Sequence, residues 1–306
     1  MLNFLLFQNL NLLLHYKMRV LITGSNGQLG TEIRELETNH KKLDLVFKDL
    51  PALDICNFNL LQSFIIDNNI NAVINCAAYT AVDKAEQNAE IAEQVNSKGV
   101  LNLVNALKSV NGKLIHISTD YVFNGDHFMP YNESDSVSPI GVYGNTKRNG
   151  ELAVINSNID GIVIRTSWLY STYGNNFVKT MLRLGKQKDE LGVIFDQVGS
   201  PTYARDLAKT CLEILCGGML VNISKKGNLY HYSNEGVASW YDFAISIMKI
   251  AGENCKVKPI QTKDYPTLAK RPQYSVLNKS KIKTDFKIEI PYWRDSLKQC
   301  IEKIIN

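Results

Sequence analysis

The sequence predicts an α/β fold, a doubly wound parallel sheet with a smaller C-terminal lobe. Three observations lead to this prediction. Short apolar segments alternate with amphipathic ones from Met18 to Trp168, the apolar segments are mostly unbroken, as in strands buried on both faces, and the first of them runs directly into a glycine-rich turn. This alternation favours parallel strands joined by right-handed crossovers.

The apolar segments define the predicted strands, because each is short and rich in Val, Ile or Leu. We predict strands at Arg19–Thr23, Leu43–Phe47, Ala72–Asn75, Leu114–Ser118 and Gly161–Arg165.

The segments between the strands predict helices, because their apolar residues recur every three or four positions, as Leu29, Ile33 and Leu36 do. Helices of the alternating part are predicted at Gln28–Leu36, Phe58–Ile66, Ala85–Lys108 and Tyr143–Ile155. After Trp168 the rhythm loosens, and polar, proline-bearing stretches separate the helices. There we predict helices at Phe177–Lys186, Ala204–Leu215, Ser239–Ile250 and Ser296–Ile304.

The composition is that of a globular protein large enough to bury a full core. Of 306 residues, 45% are hydrophobic and 21% are charged, and the net charge of +4 is spread along the chain without a basic block. This argues against a nucleic-acid or membrane partner. The six cysteines and five histidines show no metal-ligand spacing, so we predict inert thiols in a cytoplasmic protein.

The first seventeen residues, MLNFLLFQNLNLLLHYK, are rich in Leu and Phe but lack a positive segment before the apolar part and a small-residue cleavage site. Gln8, Asn9 and Asn11 interrupt them, and they are shorter than the roughly 20 apolar residues that cross a bilayer. We predict an N-terminal extension over 1–17, with Met18 as a candidate true start.

A glycine-rich turn, TGSNGQLG at 23–30, joins the first strand to the first helix. Gly24 permits a sharp turn, Gly27 lets backbone N–H groups approach a pyrophosphate, and Gly30 lets helix and strand pack closely. The phosphates would lie at the positive end of the helix. The spacing GxxGxxG departs from the usual GxGxxG, so its place between strand and helix supports a dinucleotide site in a Rossmann-type sheet; an ordinary turn is the alternative.

Two further strand ends favour the same ligand. Asp49 closes the second strand, where a carboxylate would accept from the ribose 2′-hydroxyl, although a turn residue before Pro51 is nearly as well supported. Lys48 would favour a 2′-phosphate, so NAD and NADP both stay open. The small residues of 76–78 follow the third strand and would let a cofactor lie close to the sheet.

Tyr143 and Lys147 lie one turn apart on a predicted helix and share a face. A nearby cation lowers the ordinary tyrosine pKa of about 10, which would suit general acid–base catalysis. This spacing is common on exposed helices. Thr119 makes it informative, because it directly follows the fourth strand, whose end faces the same crevice. A hydroxyl, a phenol and an ammonium beside a dinucleotide predict hydride transfer to a carbonyl.

Together these motifs resemble the extended short-chain dehydrogenase/reductase family, and within it the dTDP-4-dehydrorhamnose reductases. The resemblance runs from Met18 nearly to the end of the chain. Its motifs are GQLG at 27–30, LDI at 53–55, NCAAYTAVDKAE at 75–86, STDYVF at 118–123, SPIGVYGNTK at 138–147, GE at 150–151, RTSWLY at 165–170, GNNFVKTMLR at 174–183, DQVGSPT at 196–202 and RP at 271–272.

The resemblance implies reduction of the C4 ketone of dTDP-4-dehydro-β-L-rhamnose by NADPH or NADH, the last step of dTDP-L-rhamnose biosynthesis. It implies that Tyr143 protonates the forming alkoxide and that Lys147 binds the nicotinamide ribose and lowers the Tyr143 pKa. Thr119 would hydrogen-bond the substrate oxygen.

The resemblance also implies which residues contact the two ligands. Substrate contacts are expected from Thr119, Asp120, Trp168, Asn176 and Arg271, with Arg271 as a diphosphate partner. A core aromatic is the alternative for Trp168, and a helix N-cap is the alternative for Asn176. Together with the motif residues above, the expected cofactor contacts are Gly24, Asn26, Gly27, Gln28, Leu29, Gly30, Asp49, Asp54, Ile55, Ala77, Ala78, Tyr79, Thr80, Tyr143 and Lys147.

Some members of the family carry Mg²⁺ at a dimer interface through glutamates, and Glu32 matches one such position. No full ligand set is evident, so we predict no catalytic metal and leave a homodimer open. The predicted domains are the extension 1–17, an NAD(P)-binding domain 18–170, and a mainly substrate-binding lobe 171–306 that is partly interleaved with the sheet.

Other readings of the same fold remain. A 4,6-dehydratase of this family shows Thr-Asp-Glu after the fourth strand, whereas Tyr121 follows Asp120 here. A 4-epimerase would hold NAD tightly and consume no hydride. A non-catalytic NADP-binding regulator is the third alternative, which the intact Thr119, Tyr143 and Lys147 disfavour.

Overall fold

The computed structural model describes residues 17–218, 220 and 228–306. The predicted extension 1–17 lies outside the described residues, apart from Lys17. The strands are β1 (Met18–Thr23), β2 (Leu43–Lys48), β3 (Ala72–Asn75), β4 (Lys113–Thr119), β5 (Asp160–Thr166), β6 (Leu169–Tyr170), β7 (Glu190–Ile194), β8 (Val198–Gly199), β9 (Thr202–Tyr203), β10 (Leu229–His231), β11 (Ala238–Ser239) and β12 (Lys256–Ile260).

Most helices follow the predicted positions, but the segment predicted as one helix over Ala85–Lys108 is divided and the helix at Ser280–Phe286 was not predicted. They are α1 (Gln28–Glu35), α2 (Phe58–Asp67), α3 (Val82–Ala85), α4 (Ala89–Glu93), α5 (Gly99–Lys108), α6 (Val142–Ile155), α7 (Phe177–Gly185), α8 (Ala204–Cys216), α9 (Trp240–Ala251), α10 (Ser280–Phe286) and α11 (Trp293–Ile305). Among the described residues, no helix is long and apolar enough to span a bilayer.

Six strands form one parallel sheet in the spatial order β10-β5-β4-β3-β1-β2. The chain leaves β1 for β2 on one side and returns to β3 on the other, so strand order switches at β1. Loops diverge at such a point and leave a crevice at the carboxyl ends of the strands. The predicted α/β, doubly wound parallel fold is therefore confirmed.

Helices cover both faces of this sheet, which explains why its strands read as apolar runs. Ile22 and Ile74 face α1 and α8, whereas Leu21 and Val73 face α2 and α5. A third core, around Phe243, joins α7, α9 and α11 in the second half of the chain. The second half of the chain thus adds a helical layer with a core of its own to the sheet.

The single helix predicted over Ala85–Lys108 is wrong. The amide of Asn88 donates to the carbonyl of Lys84 at 3.0 Å, which helps to end α3, and the chain restarts as α4. A short π-helix, Gln94–Lys98, then separates α4 from α5. Periodicity misses such breaks because the apolar residues keep their spacing through them.

None of the seven short strands β6 to β12 was predicted. β7 and β12 pair in parallel, with an ion pair of 2.6 Å between Glu190 and Lys258. β10 adds to the edge of the main sheet beside β5. Both pairings join segments distant in sequence, so local patterning carries little signal for them.

Candidate active site

A cleft of about 610 Å³ opens at the carboxyl ends of the central strands, beside the N-terminus of α1. The predicted site residues that line it are Gly24, Gly27, Gln28, Leu29, Ala78, Thr80, Thr119, Asp120, Tyr143, Lys147 and Trp168. The predicted site residues that do not line it are Asn26, Gly30, Asp49, Asp54, Ile55, Ala77, Tyr79, Asn176 and Arg271.

The glycine-rich turn has no room for side chains on its inner surface. Gly24 has a φ of +60°, and a Cβ there would lie 2.6 Å from the Ala77 backbone. A Cβ on Gly30 would lie 2.5 Å from Cα of Ser25. Gly27 caps α1 without a side chain, so the first N–H groups of the helix border the cleft. This bare cradle at a helix N-terminus fits the pyrophosphate of a dinucleotide.

Asp49 braces this turn from outside the cleft. Its two carboxylate oxygens accept from the N–H groups of Asn26 and Leu50, each at 2.8 Å. Asp49 therefore has the turn role that the sequence analysis gave as an alternative. Its contact with the ribose of the cofactor stays a prediction. Asp54 accepts from the N–H of Cys56, and Ile55 is buried beneath Gly99.

The predicted catalytic groups come from β4 and the first two turns of α6. Thr119 ends β4, where its hydroxyl donates to Asp120 at 3.0 Å and accepts from the N–H of Tyr121 at 3.2 Å. Tyr143 makes an edge contact with Tyr121, with ring centroids 5.4 Å apart. The Lys147 ammonium donates to the carbonyl of Ile117 at 2.6 Å. One wall of the cleft thus carries a hydroxyl, a phenol and an ammonium.

Burial is the largest influence on the pKa values of Tyr143 and Lys147. It raises the pKa of Tyr143 to about 12, with Thr119 opposing and Asp120 adding to the rise. It lowers the pKa of Lys147 to about 8, against the opposing influence of Glu151 and, to a lesser extent, of Cys76. The implied lowering of the Tyr143 pKa by Lys147 is absent from this arrangement, in which the ammonium is directed at the Ile117 carbonyl.

Asp120 is a buried carboxyl group at the floor of the cleft, with 2% of its surface exposed. Burial raises its pKa to about 6, while the hydroxyls of Ser275 and Thr119 oppose that rise. Its Oδ2 atom has no hydrogen-bond partner among the described residues. An unpaired buried acceptor beside the catalytic groups is suited to receive a hydroxyl of a polyhydroxylated ligand.

The N-terminus of α6 is fixed by a residue whose role the sequence did not predict. Glu86 accepts from the N–H of Val142 at 2.9 Å, which satisfies a free donor of the helix. A Cβ on Gly141 would lie 2.6 Å from the same carboxylate, and one on Gly144 would overlap the carbonyl of Tyr121. These close contacts fix the position of Tyr143 in the first turn of α6.

Asn96, in the π-helix Gln94–Lys98, is a second residue that the sequence analysis did not single out. Its side chain accepts from the N–H of Tyr79 at 2.8 Å and donates to the Tyr79 carbonyl and the Thr146 hydroxyl, each at 3.1 Å. It therefore ties the segment after β3 to α6. Nothing local marks an asparagine for such a long-range bridge.

Trp168 lies at the boundary between the cleft and a second cavity. Its backbone has a φ of +49°, and its ring stacks on Trp240 with centroids 3.6 Å apart. Beyond Trp240 lies a cavity of about 500 Å³, bordered also by Phe177, Tyr265 and Arg271. This second cavity is mainly apolar, and its charged lining residues are Lys188, Glu190 and Arg271.

Asn176 adopts the alternative that was open for it. It caps α7, accepting from the N–H of Lys179 at 3.1 Å. Its amide also donates to Gln28 at 3.0 Å and to the carbonyl of Ser171 at 2.7 Å. It thereby joins the second half of the chain to the glycine-rich turn without bordering the cleft.

Glu32, the residue matched to a metal position, is fully buried on α1. It accepts from Ser171 at 2.6 Å and pairs with Arg205 at 3.4 Å. No group of three or more His, Cys, Asp or Glu side chains that could hold a metal ion occurs within 17–218, 220 and 228–306.

Comparisons with known proteins cover nearly the whole chain. The family model described as the RmlD substrate binding domain matches residues 18–306. A dTDP-4-dehydrorhamnose reductase of Aggregatibacter actinomycetemcomitans is 42% identical over 286 residues, covering 92% of this chain and 97% of the relative.

Two solved structures agree in fold and sequence. A dTDP-4-dehydrorhamnose reductase of Clostridium acetobutylicum superposes with a TM-score of 0.88 at 41% identity, covering 94% of this chain and 100% of the other. A Bacillus anthracis dTDP-4-dehydrorhamnose reductase in complex with NADP gives a TM-score of 0.86 at 38% identity, covering 94% and 99%.

Proposed function

The chain belongs to the RmlD substrate binding domain family, and we propose that it acts as a dTDP-4-dehydrorhamnose reductase. It is an NADP(H)-dependent oxidoreductase that reduces the C4 ketone of dTDP-4-dehydro-β-L-rhamnose to dTDP-β-L-rhamnose. The observation that carries this proposal is the placement of Thr119, Tyr143 and Lys147 on one wall of a cleft whose far side is the bare glycine cradle.

The cradle and the catalytic wall divide the work. Bound NADPH supplies the hydride that reduces the carbonyl carbon. Gly24 and Gly27, which line the cleft at the N-terminus of α1, would receive the diphosphate, while Gly30 lets the helix pack closely against the turn. Ala78 and Thr80 border the cleft between the cradle and the catalytic wall, where the nicotinamide end would lie.

Tyr143 supplies the proton. Its pKa of about 12 keeps the phenol protonated at neutral pH, so the group is ready to give a proton to an alkoxide, which is far more basic. The Thr119 hydroxyl donates to the substrate oxygen in place of its present acceptor, Asp120. Lys147 would hold positive charge beside the developing anion and bind the ribose of the nicotinamide nucleotide.

We assign the nucleotide end of the substrate to the second cavity. Trp240 and Phe177 offer aromatic surface for a base, and Arg271 at the rim suits a diphosphate. Trp168, stacked on Trp240, then faces the sugar in the cleft. In this proposal residues 18–170 hold the cofactor and 171–306 mainly hold the substrate. The six cysteines are all unpaired, which supports a cytoplasmic location, and the homodimer remains a proposal for light scattering to test.

Tyr121 argues against elimination chemistry on the same scaffold. A dehydratase needs a carboxylate pair here, but burial raises the pKa of the Tyr121 phenol well above its ordinary value. The test is incubation with dTDP-4-dehydro-L-rhamnose and NADPH, followed by identification of the sugar nucleotide by NMR. We expect dTDP-β-L-rhamnose with one NADPH consumed per product. Isomerisation or elimination products without NADPH consumption would contradict the proposal.

A further inference from the structure

A buried charge cluster lies directly behind the catalytic wall. Its centre is Glu151, fully buried on α6, one turn after Lys147 and two turns after Tyr143. Oε1 of Glu151 accepts from Ser118 at 2.6 Å and from Nε of Arg165 at 2.7 Å. Oε2 accepts from Nη2 of Arg165 and from Nη1 of Arg148, each at 2.8 Å. Each carboxylate oxygen therefore has two donors.

The partners of Glu151 belong to the strands that end in the cleft. Ser118 immediately precedes Thr119 on β4, and Arg165 is paired in register with Ser118 on β5. Arg165 has 1% of its surface exposed and lies over the ring of Phe123, 4.9 Å from its centroid. Glu151 thus joins the helix that carries Tyr143 and Lys147 to the strand that carries Thr119.

A buried ion pair of this kind is weak evidence of stabilisation, because desolvating two charges offsets much of their attraction. Apolar side chains could fill the same space at similar stability. The ionised state is nonetheless maintained. Burial alone would raise the pKa of Glu151, but the hydrogen bonds and charge of Arg165, with those of Ser118 and Arg148, lower it below its ordinary value.

Resting on the reductase function above, we infer that Glu151 is a positioning residue for the reduction. It holds α6 against Ser118 and Arg165, and its carboxylate, one helical turn after Lys147, favours the charged form of that ammonium.

The surroundings of Lys147 support this electrostatic role. The titratable groups that act on Lys147 are Glu151 from α6, His116 from β4 and Cys76 after β3, and its ammonium donates to the Ile117 carbonyl. Tyr143 and Asp120 line the same cleft. Burial lowers the pKa of His116 and raises the pKa of the Cys76 thiol, so both groups are neutral at neutral pH. Glu151 is the ionised group of the two that raise the Lys147 pKa, and it works against a burial that brings this pKa to about 8.

The test is the pH dependence of kcat for NADPH oxidation in Glu151→Gln, which keeps the side-chain shape and removes the charge. Because the Lys147 pKa falls without the carboxylate, we expect the alkaline limb to move to lower pH by roughly one unit. The matched control is Glu93→Gln, whose carboxylate accepts from Asn149 on the outer side of α6 and whose profile should not move.

A double variant separates a role of Glu151 in the reaction from a role in folding stability. Glu151→Gln leaves Arg165 buried without its partner, which can prevent folding, whereas Glu151→Gln with Arg165→Gln leaves only the part-exposed Arg148 without one. We expect the double variant to regain thermal stability and to show a smaller alkaline shift in the same direction, because losing the Arg165 cation offsets part of the lost negative charge. An unshifted limb in folded Glu151→Gln, or in the double variant if the single variant does not fold, would overturn the inference, while an inactive wild-type protein would instead overturn the proposed function.

Discussion

Asp83 and Arg271 form a two-pronged ion pair between α3 and the loop that borders the second cavity. Nη2 of Arg271 lies 2.7 Å from Oδ2 of Asp83, and Nη1 lies 3.2 Å from Oδ1. Oδ1 also accepts from the N–H of Ala269 at 3.0 Å. Asp83 therefore fixes the loop and its guanidinium beside the cavity that we assign to the nucleotide.

This pair predicts a defect confined to substrate binding. Asp83→Asn should raise KM for dTDP-4-dehydro-L-rhamnose by about fivefold and leave kcat nearly unchanged, because a half-exposed ion pair contributes modestly. Steady-state kinetics at saturating NADPH measures both constants. Asp44→Asn, which breaks the remote surface pair with Arg19, serves as the control. An equal fall in kcat would show that Asp83 acts on the chemical step instead.

The glycine cradle predicts a defect confined to the cofactor. A Cβ on Gly27 would lie 3.2 Å from the Gly24 carbonyl, a tight contact on the surface that faces the diphosphate. Gly27→Ala should weaken NADPH binding by roughly tenfold in fluorescence titrations.

Gly218→Ala provides the comparison for this variant. Its Cβ would meet nothing within 4 Å among the described residues, but its φ of +62° strains any side chain. It should cost about 1 kcal/mol of stability without changing NADPH affinity. If both variants bound NADPH as the wild type does, the cradle would not be the diphosphate site.

Asp120 predicts a pH-dependent stability. Its folded-state pKa of about 6 is raised above the ordinary value, so its contribution to stability is present at low pH and is lost as the pH rises through about 6. Asp120→Asn carries no charge, so relative to the wild type it should gain up to about 3 kcal/mol between pH 4 and pH 8. Urea unfolding at the two pH values measures this difference. A difference that does not change with pH would contradict the raised pKa.

The sequence predicted five of the six strands of the main sheet and the glycine turn, because both depend on contiguous residues, whereas β10 was missed. The strands around Ile22 and Ile74 are buried on both faces, and Gly24 and Gly30 occupy positions that admit no Cβ. The position of Thr119 in the cleft was also predictable from the local sequence, because Thr119 ends a strand at the edge of the sheet where ligands bind.

What the sequence did not predict depends on contacts between distant segments. Asn96 and Glu86 brace α6 from 50 and 56 positions away, and no local pattern distinguishes them from surface residues. Asn88 ends α3 through its own side chain without disturbing the apolar spacing that predicted one long helix. Asp49 satisfies neighbouring N–H groups, a role that competes with the predicted ribose contact.

The central claim is that Tyr143 donates the proton in a hydride reduction of a 4-keto sugar nucleotide. The most direct test is the loss of nicotinamide absorbance with dTDP-4-dehydro-L-rhamnose and NADPH, compared between the wild type and Tyr143→Phe, with NADPH affinity measured for both. We expect kcat to fall by at least about a hundredfold, since the ring stays in place and only the proton donor is lost, with NADPH affinity nearly unchanged. Normal turnover by Tyr143→Phe would contradict the account.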